Sequence, residues 1–271
     1  MQLVNGVHQA GQVLHLFSAS APEWGAADVG RALGLSRSHA HRLLSTLAEI
    51  GLLERSGPGG RFRLSWACFG YGSVLRESDP LVVAGVPILR ELRTMHGLDP
   101  MLAVWRRGAV FSLEPAATPT VTRLEFADCP AVGLVLISDL PDDELEALVA
   151  SATPTTELPT QRELRDAVRH IRNGGVLRTL PTNDRNRRWL VAPVVTGESI
   201  VAALGVCTQR ENFPEGQSDL IVLKRAAASL TRALQRNPAH ARIHLPGPET
   251  TAPEPSPLVA AAEPPPPSAR T

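Results

Sequence analysis

Between positions 37 and 45 the chain reads Arg37-Ser38-His39-Ala40-His41-Arg42-Leu43-Leu44-Ser45, with no acid before Glu49. Ala40, Leu43, Leu44, Leu47 and Ile50 recur at helical spacing, which predicts one inward face for a helix over about 37–50. At about 100° per residue the opposite face holds Ser38, His41, Arg42 and Ser45, with Arg37 and His39 flanking near the start. Arginine presents a fork of N–H donors that matches two oxygens of a phosphate or the O6/N7 edge of guanine. A helix N-terminus adds unpaired backbone N–H groups and partial positive charge. The chemistry on offer is therefore anion and base-edge recognition. His39 and His41 are two apart and point to different faces, which argues against a shared metal site.

Covalent chemistry has much weaker support. Gly57-Pro58-Gly59-Gly60 lacks the lysine and following helix of a phosphate-binding loop, and neither HExxH nor Gly-x-Ser-x-Gly occurs. Asp142-Asp143-Glu144, with Glu146, follows Pro141 and fits a helix start, where acids favour the macrodipole. Cys68, Cys129 and Cys207 are widely separated, which excludes a disulfide scaffold and close-spaced zinc motifs. No histidine is close in sequence to Cys129 or Cys207, and the nearest before Cys207 is His170. Inert buried thiols are expected, with no catalytic residue, metal or cofactor.

The elements needed to position the arginine-bearing helix are present in order. Val7, Ala10, Val13-Leu14 and Phe17 mark an amphipathic helix over 7–17, which Ala21-Pro22-Glu23-Trp24-Gly25 breaks. A short helix follows over Ala26–Leu33. Gly34-Leu35-Ser36 then makes a tight turn, with Ser36 suited to cap the next helix. Leu52–Arg55 and Arg61–Leu64 read as two strands around the glycine-rich turn, a hairpin with Arg61 at its tip. Each piece alone is ordinary. The order helix–helix–turn–helix–hairpin is that of a winged helix-turn-helix, with the basic helix entering the major groove of double-stranded DNA.

Charge and composition bound the rest. The chain has 271 residues, 27 basic and 27 acidic, with 43% hydrophobic and 20% charged residues, a globular profile. Residues 1–76 carry a surplus of three positive charges, which suits an anionic partner for that unit alone. The sequence shows neither a membrane-spanning apolar run nor a signal-peptide start, and cysteine usage fits a reducing cytoplasm. From Pro238 the chain is proline-rich without an aromatic residue, and it is expected to be a disordered tail over 238–271.

The middle of the chain mixes helices and strands. A connecting helix is expected over 65–77. A long helix over 81–96 would face Val82, Val83, Val86, Leu89, Leu92 and Met95 inward, with Pro87 near its first turns. Strands are expected at 101–106, 109–114 and 120–126. Helices follow near 130–138, 142–151 and 160–173, strands at 175–180, 188–196 and 200–208, and a last helix over 215–236. Residues 200–207 are nearly all apolar, as for a central strand. The fold class is α+β: an N-terminal winged domain over 1–64, a linker over 65–78, and an α/β sandwich on a mainly antiparallel sheet over 79–237.

Ala32–Ser38, Arg42–Leu47, Gly51–Arg55 and Gly60–Leu64 resemble the DNA-binding domain of the IclR family of bacterial transcriptional regulators, and the resemblance covers about residues 6–236. It implies a repressor that binds a palindromic operator as a homodimer or tetramer, with a GAF-like domain sensing a small organic effector. Ser38 and Arg42 match family positions on the recognition helix, and His39 stands where threonine is more usual. The implied DNA-contacting set is Arg37, Ser38, His39, His41, Arg42, Ser45 and Arg61. Family members commonly place an Asp, a Cys and a Ser in the effector pocket. By ungapped reading these positions fall on Thr179, Trp189 and Cys207, and Val191-Ala192-Pro193-Val194 matches the usual Ala-Ala-Pro-Val. A small-residue ligand loop corresponds to Cys129–Gly133, so Ala131, Val132 and Gly133 join Thr179, Trp189, Val191 and Cys207 in the implied effector set. Pro130 removes one backbone donor from that loop. The pocket is thus expected to be less polar than is usual, with Trp189 stacking on a flat ligand. The alternatives are a closed, ligand-free sensor acting through protein contacts, or an enzyme with an appended helical domain.

Overall fold

The computed structural model describes residues 4–57, 59–106, 109–114, 120–124, 130–152, 161–178, 188–208 and 217–236. These form two compact units, one ending at Arg76 and the next beginning at Glu77. The expected proline-rich tail, Cys129 and Thr179 lie outside the described residues.

The first unit runs α1 (Asn5–His15), β1 (Glu23–Gly25), α2 (Ala26–Leu33), α3 (Arg37–Glu49), β2 (Leu53–Ser56), β3 (Arg61–Leu64) and α4 (Trp66–Ser78). The turn between α2 and α3 forms as its residue types require. Gly34 takes φ +65°, where a side chain would be strained, and the Leu35 amide donates to the Gly30 carbonyl at 2.8 Å. Ser36 caps α3, its Oγ accepting from the His39 amide at 3.2 Å. Gly30 is needed for packing: a Cβ there would lie 2.8 Å from the Leu35 carbonyl oxygen. Leu44, Leu47, Val13, Val29 and Phe62 close a small core beneath α3.

Segment 21–25 is more than a break. Glu23–Gly25 is a third strand of the wing, pairing antiparallel with β3 so that Trp24 faces Phe62, and the sheet order is β1-β3-β2. Two expected inward residues point out: Val7 is 71% exposed and Ile50 61% exposed. Ile50 follows the last helical residue, so the 3.6-residue period no longer directs it. Val7 sits one turn beyond the part of α1 that the core covers.

The second unit contains α5 (Pro80–His96), β4 (Asp99–Arg106), β5 (Ala109–Glu114), β6 (Thr120–Leu124), α6 (Pro130–Ile137), α7 (Asp142–Ala152), α8 (Gln161–Arg172), β7 (Leu177–Arg178), β8 (Arg188–Thr196), β9 (Ser199–Thr208) and α9 (Gln217–Arg236). Six strands form one sheet in the order β6-β5-β4-β9-β8-β7, every pairing antiparallel. The apolar strand β9 is central, between β4 and β8, as its composition predicts. One sheet face packs against α5 and α9 through Leu89, Leu92, Leu223 and Leu230. The other packs against α6 and α8 through Val132, Val135, Val168 and Ile171.

Helix α5 starts cleanly, with Asp79 accepting from the Leu81 and Val82 amides at 2.8 and 3.1 Å and Pro80 at its first position. Pro87 is not in the first turns but in the helix interior, on an exposed side. Val83 and Met95 are exposed rather than inward, Met95 at 76%, because the stripe that meets the sheet is the narrower one through Leu81, Gly85, Leu89 and Leu92. Gly85 permits that approach, since a Cβ there would lie 2.4 Å from a Leu102 methyl.

Candidate nucleic-acid interface

The cap at Ser36 and the core under Leu44 and Leu47 leave one side of α3 facing solvent. Arg37, Ser38, His41 and Arg42 are exposed there, and His39 is half-buried. Among the described residues no carboxylate lies within ion-pair distance of Arg37 or Arg42. The Arg42 guanidinium donates to His39 Nδ1 at 3.1 Å, and His39 Nε2 lies 2.8 Å from Gln9 Oε1 on α1. Ser45 is not on the open face: its Oγ is buried and has no hydrogen-bond partner. One helical turn separates it from Arg42, and there the open face already curves into the packed one.

The wing divides its arginines. Arg61, expected to project from the hairpin tip, is held inside the unit. Its guanidinium donates to Asp28 Oδ2 at 3.2 Å and to the Glu23 carbonyl at 2.7 Å, and lies 3.9 Å from Glu23 Oε2. Arg63 pairs with Glu54 at 2.6 Å. Arg55, which sequence reasoning passed over, is exposed and stacks 5.6 Å above the Phe62 ring, whose edge meets His41 at 6.4 Å. Phe62 thus joins α3 to the wing. The signal for Arg55 was its strand position opposite Phe62, visible only once the register was known. The open cationic face therefore comprises Arg37, Arg42 and Arg55.

In the second unit the structure brings part of the implied effector set together. Ala131, Val132, Val191 and Trp189 meet in the core between α6 and the sheet. Trp189 lies directly across from Cys207 in the β8–β9 register, and Cys207 is buried. The indole lies over Gly205, with ring carbons 3.5 Å from where a Cβ would be. Gly133 is also buried in α6. His170 does not serve Cys207 as a base: its Nε2 lies 3.3 Å from the Val176 carbonyl oxygen, with Gly175 directly against the ring. Arg106 is half-buried at the end of β4, and by strand alternation it faces the α5 side, not the Trp189 side. Burial lowers its pKa from the usual arginine value, opposed by the nearby Asp79 carboxylate.

The acidic start of α7 is structural. Asp142 accepts from Arg172 at 3.1 Å, and the same guanidinium donates to the Ser138 and Leu140 carbonyls at 2.7 and 2.8 Å. Among the described residues, no group of three or more His, Cys, Asp or Glu side chains could hold a metal ion, and no helix is long and apolar enough to cross a membrane.

A capped helix, a tight glycine turn and a three-stranded wing define a winged helix-turn-helix domain, followed by an α/β unit on a six-stranded antiparallel sheet. Comparison with known proteins agrees. The family model of the IclR helix-turn-helix domain matches residues 7–57. The regulator XynR of Escherichia coli is 29% identical over 255 residues, covering 86% of this chain and 98% of its own length. The regulator TtgV of Pseudomonas putida is 28% identical over 160 residues, 55% of this chain and 61% of its own. The structure of an IclR homologue from Microbacterium hydrocarbonoxydans, complexed with 4-hydroxybenzoate, superposes with a TM-score of 0.70 at 21% identity, covering 86% of this chain and all of that one. The chain therefore carries an IclR-type helix-turn-helix over residues 7–57 and is similar to IclR-type transcriptional regulators over most of its length.

Proposed function

We propose that the protein is a repressor that binds a palindromic operator as a homodimer, one α3 per major groove, under the control of a small organic effector. The observation that carries this reading is the outer face of α3. Among the described residues Arg37 and Arg42 stand clear of carboxylates, on a helix whose N-terminal end already favours anions. Ser38, His39 and His41 share that region, and Arg55 extends it onto the wing. Arg61 and Ser45 act from behind, Arg61 by tying the wing to α2. In this reading residues 1–64 bind DNA, 65–78 link, 79–237 sense the effector, 238–271 form a tail, and the protein works in the cytoplasm.

An exposed apolar row on α4 supports the dimer. Trp66 is 81% exposed, and Phe69, Tyr71, Val74 and Leu75 are also open, more apolar area than one helix of a monomer usually shows. The test of the central reading is titration of full-length protein with its own upstream intergenic duplex and with random duplex. A preference that survives competitor supports the operator reading, and equal binding to both sinks it for that duplex.

The effector would be a flat molecule placed between α6 and the sheet, stacking on Trp189. The aromatic acid bound by the Microbacterium homologue is of that shape. A second reading has a specific observation in its favour: the indole already covers Gly205, and Ala131 and Val132 are buried against the sheet, as in a sensor closed by its own side chains. Tryptophan fluorescence during titration with aromatic acids separates the two, because a closed site gives no saturable change. Saturable binding of glyoxylate or pyruvate at millimolar level would overturn the apolar pocket.

A further inference from the structure

The contacts of His39 fix its protonation. Every guanidinium nitrogen of Arg42 is a donor, so His39 Nδ1, 3.1 Å away, is an acceptor and carries no proton. The ring proton is then on Nε2, which donates to Gln9 Oε1 at 2.8 Å. Only the neutral Nε2–H form satisfies both bonds. The backbone beneath is pinned as well, since the His39 amide donates to the Ser36 cap. A half-buried ring, held by α1 and by the helix cap, therefore grips one edge of an exposed guanidinium and leaves its remaining N–H groups free.

We propose that His39 is a positioning residue that orients Arg42 for base recognition, so that sequence preference depends on a neutral His39 and on Gln9 behind it. The proposal rests on the reading of α3 as the DNA-contacting helix. An arginine on a flexible stem loses conformational freedom when it docks, and one already held in place loses less. A second proton on His39 removes the acceptor and sets a cation beside Arg42. Arg42 is then released, while the total positive charge of the face rises.

The elements packed on α3 do not offset that proton. Helix α1 brings His8 and His15 and no carboxylate. Helix α2 brings Asp28 and Arg31, and Asp28 is engaged by Arg31 and Arg61. Strand β2 brings Arg55 and Glu54, the latter paired with Arg63. On α3 itself stand Arg37, His41, Arg42 and, at the far end, Glu49.

The experiment begins with duplexes selected from a random pool by the full-length wild-type protein. If no sequence is enriched, the DNA-reading role of α3 fails and the proposal fails with it. With selected duplex in hand, His39→Ala lowers the preference for selected over random duplex about fivefold to tenfold, the size of coupling seen between contacting residues. Affinity for random duplex falls by less than affinity for selected duplex, and in an Arg42→Ala background His39→Ala produces no further loss of preference. Gln9→Leu shifts preference in the same direction by less, and only when Arg42 is present. His39→Gln, whose amide oxygen can accept from Arg42, keeps the preference. Equal losses on selected and random duplex would overturn the proposal in favour of a direct phosphate contact. Additive losses from His39→Ala and Arg42→Ala would overturn it too. If His39→Ala fails to fold, the Gln9→Leu pair with and without Arg42 decides the same question.

Discussion

Helix α3 carries two arginines and α8 four, and three of the α8 set meet surroundings opposite to those on α3. On α8, Arg165 meets Glu146 at 2.9 Å, Arg169 meets Asp166 at 3.1 Å, and Arg172 holds Asp142 together with two backbone carbonyls. On α3, Arg37 and Arg42 meet no carboxylate among the described residues, and the contact Arg42 does make is to His39 Nδ1. A count of basic residues would rank α8 the better nucleic-acid helix. What separates them is the placement of acids: α7 delivers Asp142 and Glu146 to α8, and the elements around α3 direct their acids to Arg61 and Arg63 instead. Arginines become a docking surface when the fold leaves them unneutralised.

The largest test of that contrast is salt. A dimer presenting Arg37, Arg42 and Arg55 from each subunit would make about six phosphate or base contacts. Its affinity should then fall roughly a thousandfold between about 50 and 200 mM salt, read by fluorescence anisotropy. A slope near zero would mean that these arginines are not on DNA. Next in size, Arg42→Ala should weaken operator binding by about 1–3 kcal/mol with an unchanged melting temperature. The mirror experiment is Arg172→Ala, expected to lower stability by about 1–2 kcal/mol in urea, since two carbonyls and a carboxylate lose their donor. Its operator affinity, measured on folded protein, should match wild type. The smallest effect belongs to Arg169→Ala, which removes an exposed i,i+3 pair and should change stability by less than about 0.5 kcal/mol and DNA binding not at all. A DNA-binding loss there would erase the distinction between the two helices.

Much of the fold was readable from local pattern. The Gly34-Leu35-Ser36 turn, the limits of α2 and β3, and the central place of β9 follow from turn chemistry and periodicity, which act over a few residues. What was missed depends on partners far along the chain. Strand β1 is three residues long, too short to show a period, and exists because β3 offers Phe62 opposite Trp24. Arg61 read as a wing-tip cation because its partners, Asp28 and Glu23, lie more than thirty positions earlier. Gln9 was invisible as the support of His39 for the same reason. Val7, Ile50 and Met95 fit the spacing of an inward stripe, but spacing does not say how far the neighbouring element extends. In the second unit the resemblance singled out Trp189, Val191 and Cys207, and the strand register places Trp189 and Cys207 side by side.

The close approach at Gly30 bears on what can be changed in this molecule. With no side chain there, the Leu35 carbonyl sits against α2, so α2 and the turn into α3 meet through backbone at this point, beside the side-chain packing of Val29 with Ala40 and Leu44. The backbone of Arg37 also lies near that point, 3.7 and 3.8 Å from where a Cβ would be, and no side chain of α3 is among the nearest atoms. In the proposed reading the DNA-facing side chains are interchangeable: those of Arg37, Ser38 and Arg42 can be replaced as a set, and the helix should still be presented at the same angle. Gly30→Ala does the reverse, leaving every outward residue in place while changing the angle at which all of them are offered. Retargeting to a new duplex is thus a matter of the exposed positions, and the glycine is the one to leave untouched.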